Sequence, residues 1–115
     1  GPDIAPYFTE DASLSHAIAS AGSTVDDPVW QLPLHAPYEA MIEPDIADLD
    51  NAPSGGFAGA TTAALFLQRF VTNTARFVHF DCYGWQPVAA PARPKGGVGQ
   101  GTRALFQALP EILGL

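Results

Sequence analysis

His79, Asp81 and Cys82 stand close together, and side chains of these types move protons, attack carbonyls and bind metals. In an extended segment they do not all face one way. His79 and Cys82 fall on opposite faces, so one zinc ion could not readily use both. His16 and His35 offer no other short ligand spacing. His79 and Asp81 share a face, which suits a buried hydrogen-bonded pair better than a catalytic dyad. A Ser-His-Asp triad needs an activated serine, and the sequence has no nucleophile-elbow pattern. Asp48-Leu49-Asp50-Asn51 opens like a calcium loop, but Ala52 and Pro53 follow where such a loop continues with ligands and a turn glycine. It reads as an acidic turn or strand end. Gly99-Gln100-Gly101-Thr102-Arg103-Ala104 fits G-x-G-x-x-A. A dinucleotide site needs a strand directly before that motif and an acidic residue about 20 positions after it. A Pro/Gly-rich loop precedes this one, so it is expected to cap a helix. The prolines between Pro87 and Pro94 suit a structural loop better than a partner-binding segment. No self-sufficient catalytic constellation emerges.

The elements that must position these residues are expected as follows. Residues 1–8 form an extended entry, held open by Pro2 and Pro6. A helix follows with Thr9 as N-cap, Leu14, Ile18 and Ala21 on one face, and Gly22 as its stop. Residues 23–28 form an acidic linker. Val29–Leu34 is an edge or extended segment, because Pro33 cannot donate to a ladder. Pro37 suits the first turn of a short helix carrying Tyr38, Met41 and Ile42. The strongest helix spans 58–71. It is small-sided in its first half and nearly free of charge, so it is expected to be buried. The clearest strand is 76–83, with Phe77, His79, Asp81 and Tyr83 on one face and Val78, Phe80 and Cys82 on the other. Bulk on both faces argues for a sheet between helices. The long loop 85–101 is a candidate functional loop, and a last helix begins near Thr102 with Pro110 inside it. Two confident strands do not make a stable sheet, so residues 1–115 are expected to be part of a larger α/β sheet.

The composition sets outer limits. The 115 residues carry a net charge of −7, and five scattered basic residues leave no patch that could follow a phosphate backbone. Nucleic acid is therefore not an expected partner. No apolar run approaches a membrane span. Cys82 is the single cysteine, which suits a reducing compartment and a cytoplasmic location. Only 15% of residues are charged, against an ordinary share of about 25%. Part of the exterior is thus expected to be covered by further chain or another subunit.

Taken together, several blocks resemble one family. Trp30-Gln31-Leu32-Pro33-Leu34, Tyr38 and Ile46-Ala47-Asp48-Leu49-Asp50-Asn51 are followed by Gly55-Gly56-Phe57-Ala58-Gly59-Ala60-Thr61-Thr62-Ala63-Ala64-Leu65-Phe66-Leu67. Then come His79-Phe80-Asp81-Cys82-Tyr83-Gly84 and Gly101-Thr102-Arg103-Ala104-Leu105. In this order they resemble the C-terminal part of the catalytic domain of leucyl (cytosol) aminopeptidases. The resemblance implies a three-layer αβα domain with a mixed central sheet. It implies release of N-terminal, leucine-like residues from peptides with two divalent metal ions, Zn or Mn. One ion would bind the free amine, and the pair would activate a bridging water. It also implies a hexamer.

The family's metal-binding motif, Asn-Thr-Asp-Ala-Glu-Gly-Arg, is absent here, so no metal ligand and no catalytic residue is assigned to these residues. The 115-residue chain alone is expected to be inactive, with an upstream half of the domain as its partner. What the resemblance carries over is the substrate pocket: Tyr83 and Gln86 for the side-chain pocket, and Ala52 for the leaving residue. Tyr83 stands where a small alanine is commoner, which would reshape the pocket. In open α/β sheets ligands sit beyond the carboxyl ends of strands, and Tyr83 ends one. The alternative is a non-catalytic binding or assembly module derived from the same fold.

Overall fold

The computed structural model describes residues 1–115. Its centre is a strand that the proline pattern conceals. β1 (Ala5–Phe8) lies between β2 (Val29–Gln31), which is parallel to it, and β3 (His79–Phe80), which is antiparallel. Pro6 is tolerated in this central position because of where β3 stops. The Pro6 carbonyl accepts from the Asp81 N–H at 3.0 Å, and the missing Pro6 N–H would lie on that same side, beyond the paired residues of β3. β2 is an edge strand, as Pro33 demands.

Two parallel strands need a crossover, and α1 (Ala12–Thr24) supplies it. Its N-cap is Asp11, whose carboxylate accepts from the Leu14 N–H at 3.0 Å. Thr9, the expected cap, lies two residues early. Its hydroxyl accepts the Asp11 N–H, and its carbonyl accepts Gln31 Nε2. Gly22 does not stop the helix, which runs two residues further. It is instead a point of close approach: a Cβ there would stand 2.8 Å from the Asp27 carbonyl oxygen.

The core lies between the sheet and the pair α1 and α3 (Thr102–Leu113). Tyr7, Leu14, Ala17, Ile18, Ala21 and Ala108 form it, flanked by Val78, Phe80 and Leu105. Burial of Ile18 and Leu14 contributes about 1.5–3 kcal/mol each. The Tyr7 hydroxyl would be costly to leave unpaired here. It donates to Ser15 Oγ at 2.7 Å, Ser15 Oγ donates to Gln31 Oε1, and Gln31 Nε2 reaches the Thr9 carbonyl. This chain of bonds staples α1 to the two strands.

Phe8 and His79 point to the opposite face, where their rings meet at 6.1 Å. On that side a 3-10 helix, η1 (Ala36–Ile42), packs against α2 (Gly59–Gln68), which also reaches β3. The expected alternation along 78–80 is thus what the structure shows, and helices flank both faces of a mixed sheet. The expected strand 76–83 is regular only at His79–Phe80, and 46–51 is irregular, bent chain rather than a strand end. α2 is shorter than expected and less covered. Thr62, Ala64 and Leu65 are buried, while Phe57, Leu67 and Phe70 are exposed.

The loop from Trp85 to Gly101 contains a small hairpin, β4 (Trp85–Gln86) against β5 (Gly96–Gly97). α3 tolerates Pro110 because the carbonyl left without its partner belongs to the exposed Phe106.

Candidate functional site

Tyr83 and Gln86 flank the point where β3 turns into the β4–β5 hairpin. Gly84 sits between them in the left-handed region, at φ 65°. Its backbone is held twice: the Val98 N–H donates to the Gly84 carbonyl at 3.1 Å, and the Gly84 N–H donates to Gln100 Oε1 at 2.8 Å. The Tyr83 side chain projects to solvent from this fixed turn. Gln86 pairs with Gly96, and its Nε2 donates to the Val88 carbonyl at 2.7 Å.

Ala52 lies elsewhere. Its N–H donates to Asp50 Oδ1 at 2.8 Å, in a turn anchored by the Asp50 N–H on the Ile42 carbonyl. Its neighbours Asn51 and Pro53 line an apolar groove between η1 and α2, together with Ile42, Thr62, Ala63 and Phe66. Gln86 lines a small polar recess with Trp85, Gln100 and Arg103. No cavity is lined by Ala52, Tyr83 and Gln86 together. β3 also runs against β1 and β2, so its carboxyl end lies beside their amino ends. The rule for ligands at strand ends therefore gives Tyr83 no support within this sheet.

The proton-handling cluster does not become a dyad. His79 Nε2 is buried without a hydrogen-bond partner, so the expected His79–Asp81 pair does not form. Burial lowers the His79 pKa, against the upward pull of the Asp81 charge. This favours a neutral ring, tilted beside that of Phe8. Burial likewise raises the Cys82 thiol, followed by the negative charges of Asp81 and Asp27, which disfavours a nucleophilic thiolate. Cys82 Sγ donates to the Gln100 carbonyl. No three His, Cys, Asp or Glu side chains gather as a metal-binding group. The donor set of these residues does not fit the metal pair that the resemblance implies.

Two residues that matter here are silent in the sequence. Asp27 is buried, and its carboxylate accepts three backbone N–H groups at the start of α3: Gly101 at 3.0 Å, Arg103 at 2.9 Å and Ala104 at 3.1 Å. These are donors that a helix leaves free at its start, and a carboxylate there also complements the dipole. The G-x-G-x-x-A segment thus binds an internal carboxylate, not a dinucleotide. Gly101 is required at its place: φ is 74°, and a Cβ would stand 2.8 Å from the Phe80 ring. The second silent residue is Gln100. Asp27 acts over more than 70 positions, so no local pattern could reveal it. Gln100 was visible only as the variable position of a glycine motif.

Comparison with known proteins places this geometry. The family model described as "Cytosol aminopeptidase family, catalytic domain" matches residues 1–106. A probable cytosol aminopeptidase of Rickettsia bellii is 38% identical over 114 residues, covering 96% of this chain and 23% of the relative. One from Nitratidesulfovibrio vulgaris is 41% identical over 114 residues, or 22% of its length. The crystal structure of the cytosol aminopeptidase from Coxiella burnetii superposes with a TM-score of 0.88 at 40% identity, over 96% of this chain and 24% of that one. The bottromycin maturation enzyme BotP, solved in complex with Mn, gives a TM-score of 0.87 at 28% identity, over 97% of this chain and 25% of its own. The chain therefore spans about a quarter of the length of these relatives. With a family match over nearly all its residues and the same fold in the solved relatives, the chain belongs to the cytosol aminopeptidase family.

Proposed function

We propose that residues 1–115 are the C-terminal part of a metal-dependent aminopeptidase domain that removes leucine-like residues from the N-termini of peptides. In this reading Tyr83 and Gln86 wall the pocket for the released side chain, and Ala52 borders the site of the leaving residue. The Zn or Mn pair is held by an upstream part of the domain. These residues contribute none of its ligands, and no chemical step is routed through them. A homo-oligomer and a cytoplasmic location belong to the same proposal.

The observation that carries the reading is the combination of the family match over 1–106 with a fixed turn that presents Tyr83, 61% exposed. Surrounding features support it. The Tyr83 turn is pinned through Gly84 by the Val98 backbone and the Gln100 side chain, yet the tyrosine ring itself is largely uncovered. Such an arrangement suits a wall that meets something outside the chain.

The test is Tyr83→Ala in the polypeptide as its gene encodes it. A smaller wall should move relative kcat/KM toward bulky N-terminal residues by about tenfold or more, the scale of a few methylenes in an apolar pocket. An unchanged preference would remove Tyr83 from the pocket. Loss of all aminopeptidase activity from the native polypeptide itself, before any substitution, would favour the assembly-module alternative.

A further inference from the structure

The polar clamp beneath the Tyr83 turn has no place in the reaction described above, and its composition is specific. Gln100 Oε1 accepts the Gly84 N–H, while Gln100 Nε2 donates to the Pro2 carbonyl on the far side. Each partner fixes one end of the amide: a backbone N–H demands an acceptor, and a backbone carbonyl demands a donor. A neutral amide meets both demands, whereas a carboxylate lacks the donor and a guanidinium lacks the acceptor. Around it, Cys82 Sγ donates to the Gln100 carbonyl and the Val98 N–H donates to the Gly84 carbonyl. The residue that follows Gln100 is fixed in turn. Gly101 is held by Asp27, so the clamp is tied to the start of α3.

We propose that Gln100 is a positioning residue that sets where the segment Tyr83–Gln86 stands, and thereby tunes which N-terminal side chains the pocket accepts. This inference rests on the pocket reading of Tyr83. The Gln100 side chain hydrogen-bonds backbone alone, at Gly84 and Pro2, and none of the wall side chains. Its removal should thus change preference among substrates more than the rate of bond cleavage. A carboxylate at the same position keeps the acceptor for Gly84 and loses the donor for Pro2, so Gln100→Glu should retain part of the effect that Gln100→Ala abolishes.

The experiment compares Gln100→Ala, Gln100→Glu and Tyr83→Ala in the polypeptide as its gene encodes it. It reads two quantities. The first is hydrogen exchange of the peptide containing Gly84. The second is KM and kcat over a panel of anilides with small, branched and aromatic N-terminal residues. Gln100→Ala is expected to speed Gly84 exchange and to shift relative KM across the panel by about three- to tenfold, the factor carried by one net hydrogen bond. Gln100→Glu should fall between it and the wild type. Unchanged Gly84 exchange in Gln100→Ala overturns the inference. A shifted preference in Tyr83→Ala, with none in Gln100→Ala despite faster exchange, also overturns it and leaves the pocket reading standing. An unshifted preference in Tyr83→Ala removes the pocket reading and this inference with it. Where Gln100→Ala yields too little folded protein, Gln100→Glu alone decides by the same two readouts.

Discussion

Single residues in this chain act mainly by closing backbone accounts that secondary structure leaves open. Asp27 is the strongest case, since one buried carboxylate serves three amide groups of α3. Asp27→Ala should cost about 2–4 kcal/mol, combining a lost cap with buried donors left unpaired. A urea titration would check this, and a cost below about 1 kcal/mol would mean that water replaces the carboxylate. Asp11 adds a pH dependence. The Leu14 N–H, the Ser13 hydroxyl and Arg76 hold its pKa at about 2, below the ordinary 3.8. A lowered folded-state pKa gives stability that is present above about pH 4 and lost as pH falls toward 2. The wild type should therefore exceed Asp11→Asn in thermal midpoint at pH 6, and the gap should close near pH 2. At this scale the sequence was informative about chemistry that is absent and uninformative about chemistry that is present. His79 and Asp81 drew notice by type and spacing, yet His79 Nε2 has no partner. Asp27 and Gln100 did not stand out, because their partners are backbone groups 16 to 98 positions away.

At the scale of elements, patterning found the helices and the edge strand β2, but missed the central place of β1 and the short extent of β3. α1, α2, α3 and η1 carry local signals: periodic apolar positions, a proline at the start of η1, a glycine motif before α3. β1 lacked such a signal, because Pro6 argues against a central strand until β3 is known to end beside it. The 76–83 segment showed correct alternation, but its ladder is only as long as the partner allows. The pairing of η1 with α2 is reinforced by Arg69, whose guanidinium bonds Glu39 at 2.6 Å and Glu43 at 2.9 Å. These pairs are open to water and salt, which screen them, so they add little to global stability. Arg69→Ala should leave the global melt almost unmoved. It should nonetheless quicken protease cleavage between residues 36 and 58, and added salt should imitate it. Equal cleavage in both proteins would show that apolar contacts alone hold η1. Gly101→Ala tests the crossing of α3 with β3. With its Cβ 2.8 Å from Phe80 and a φ of 74°, it should destabilise by about 1–3 kcal/mol.

As a whole the molecule is a slab of 49 × 38 × 17 Å with a radius of gyration of 15.7 Å. A compact domain of this length would have about 13 Å. Large apolar side chains stand open on it: Ile46, Phe57, Trp30 and Phe70 on or near the η1–α2 side, and Phe106 and Leu115 along α3 and its end. The low charged share pointed to such uncovered surface, and the resemblance of ordered blocks along the chain pointed to the family that residues 1–106 match. What composition and blocks could not convey was the antiparallel direction of β3, which turns its carboxyl end away from those of β1 and β2. A chain with this much open apolar surface should self-associate, and sedimentation at rising concentration would show it. A monomer with a cooperative melt would argue that 115 residues suffice for a finished domain. The central claim is that this chain shapes a peptide pocket without holding its metals. Hydrolysis of leucine anilide by the 115-residue chain, with Mn or Zn added, tests it most directly. No turnover above the metal-only blank is expected, whereas turnover abolished by a chelator would contradict the claim.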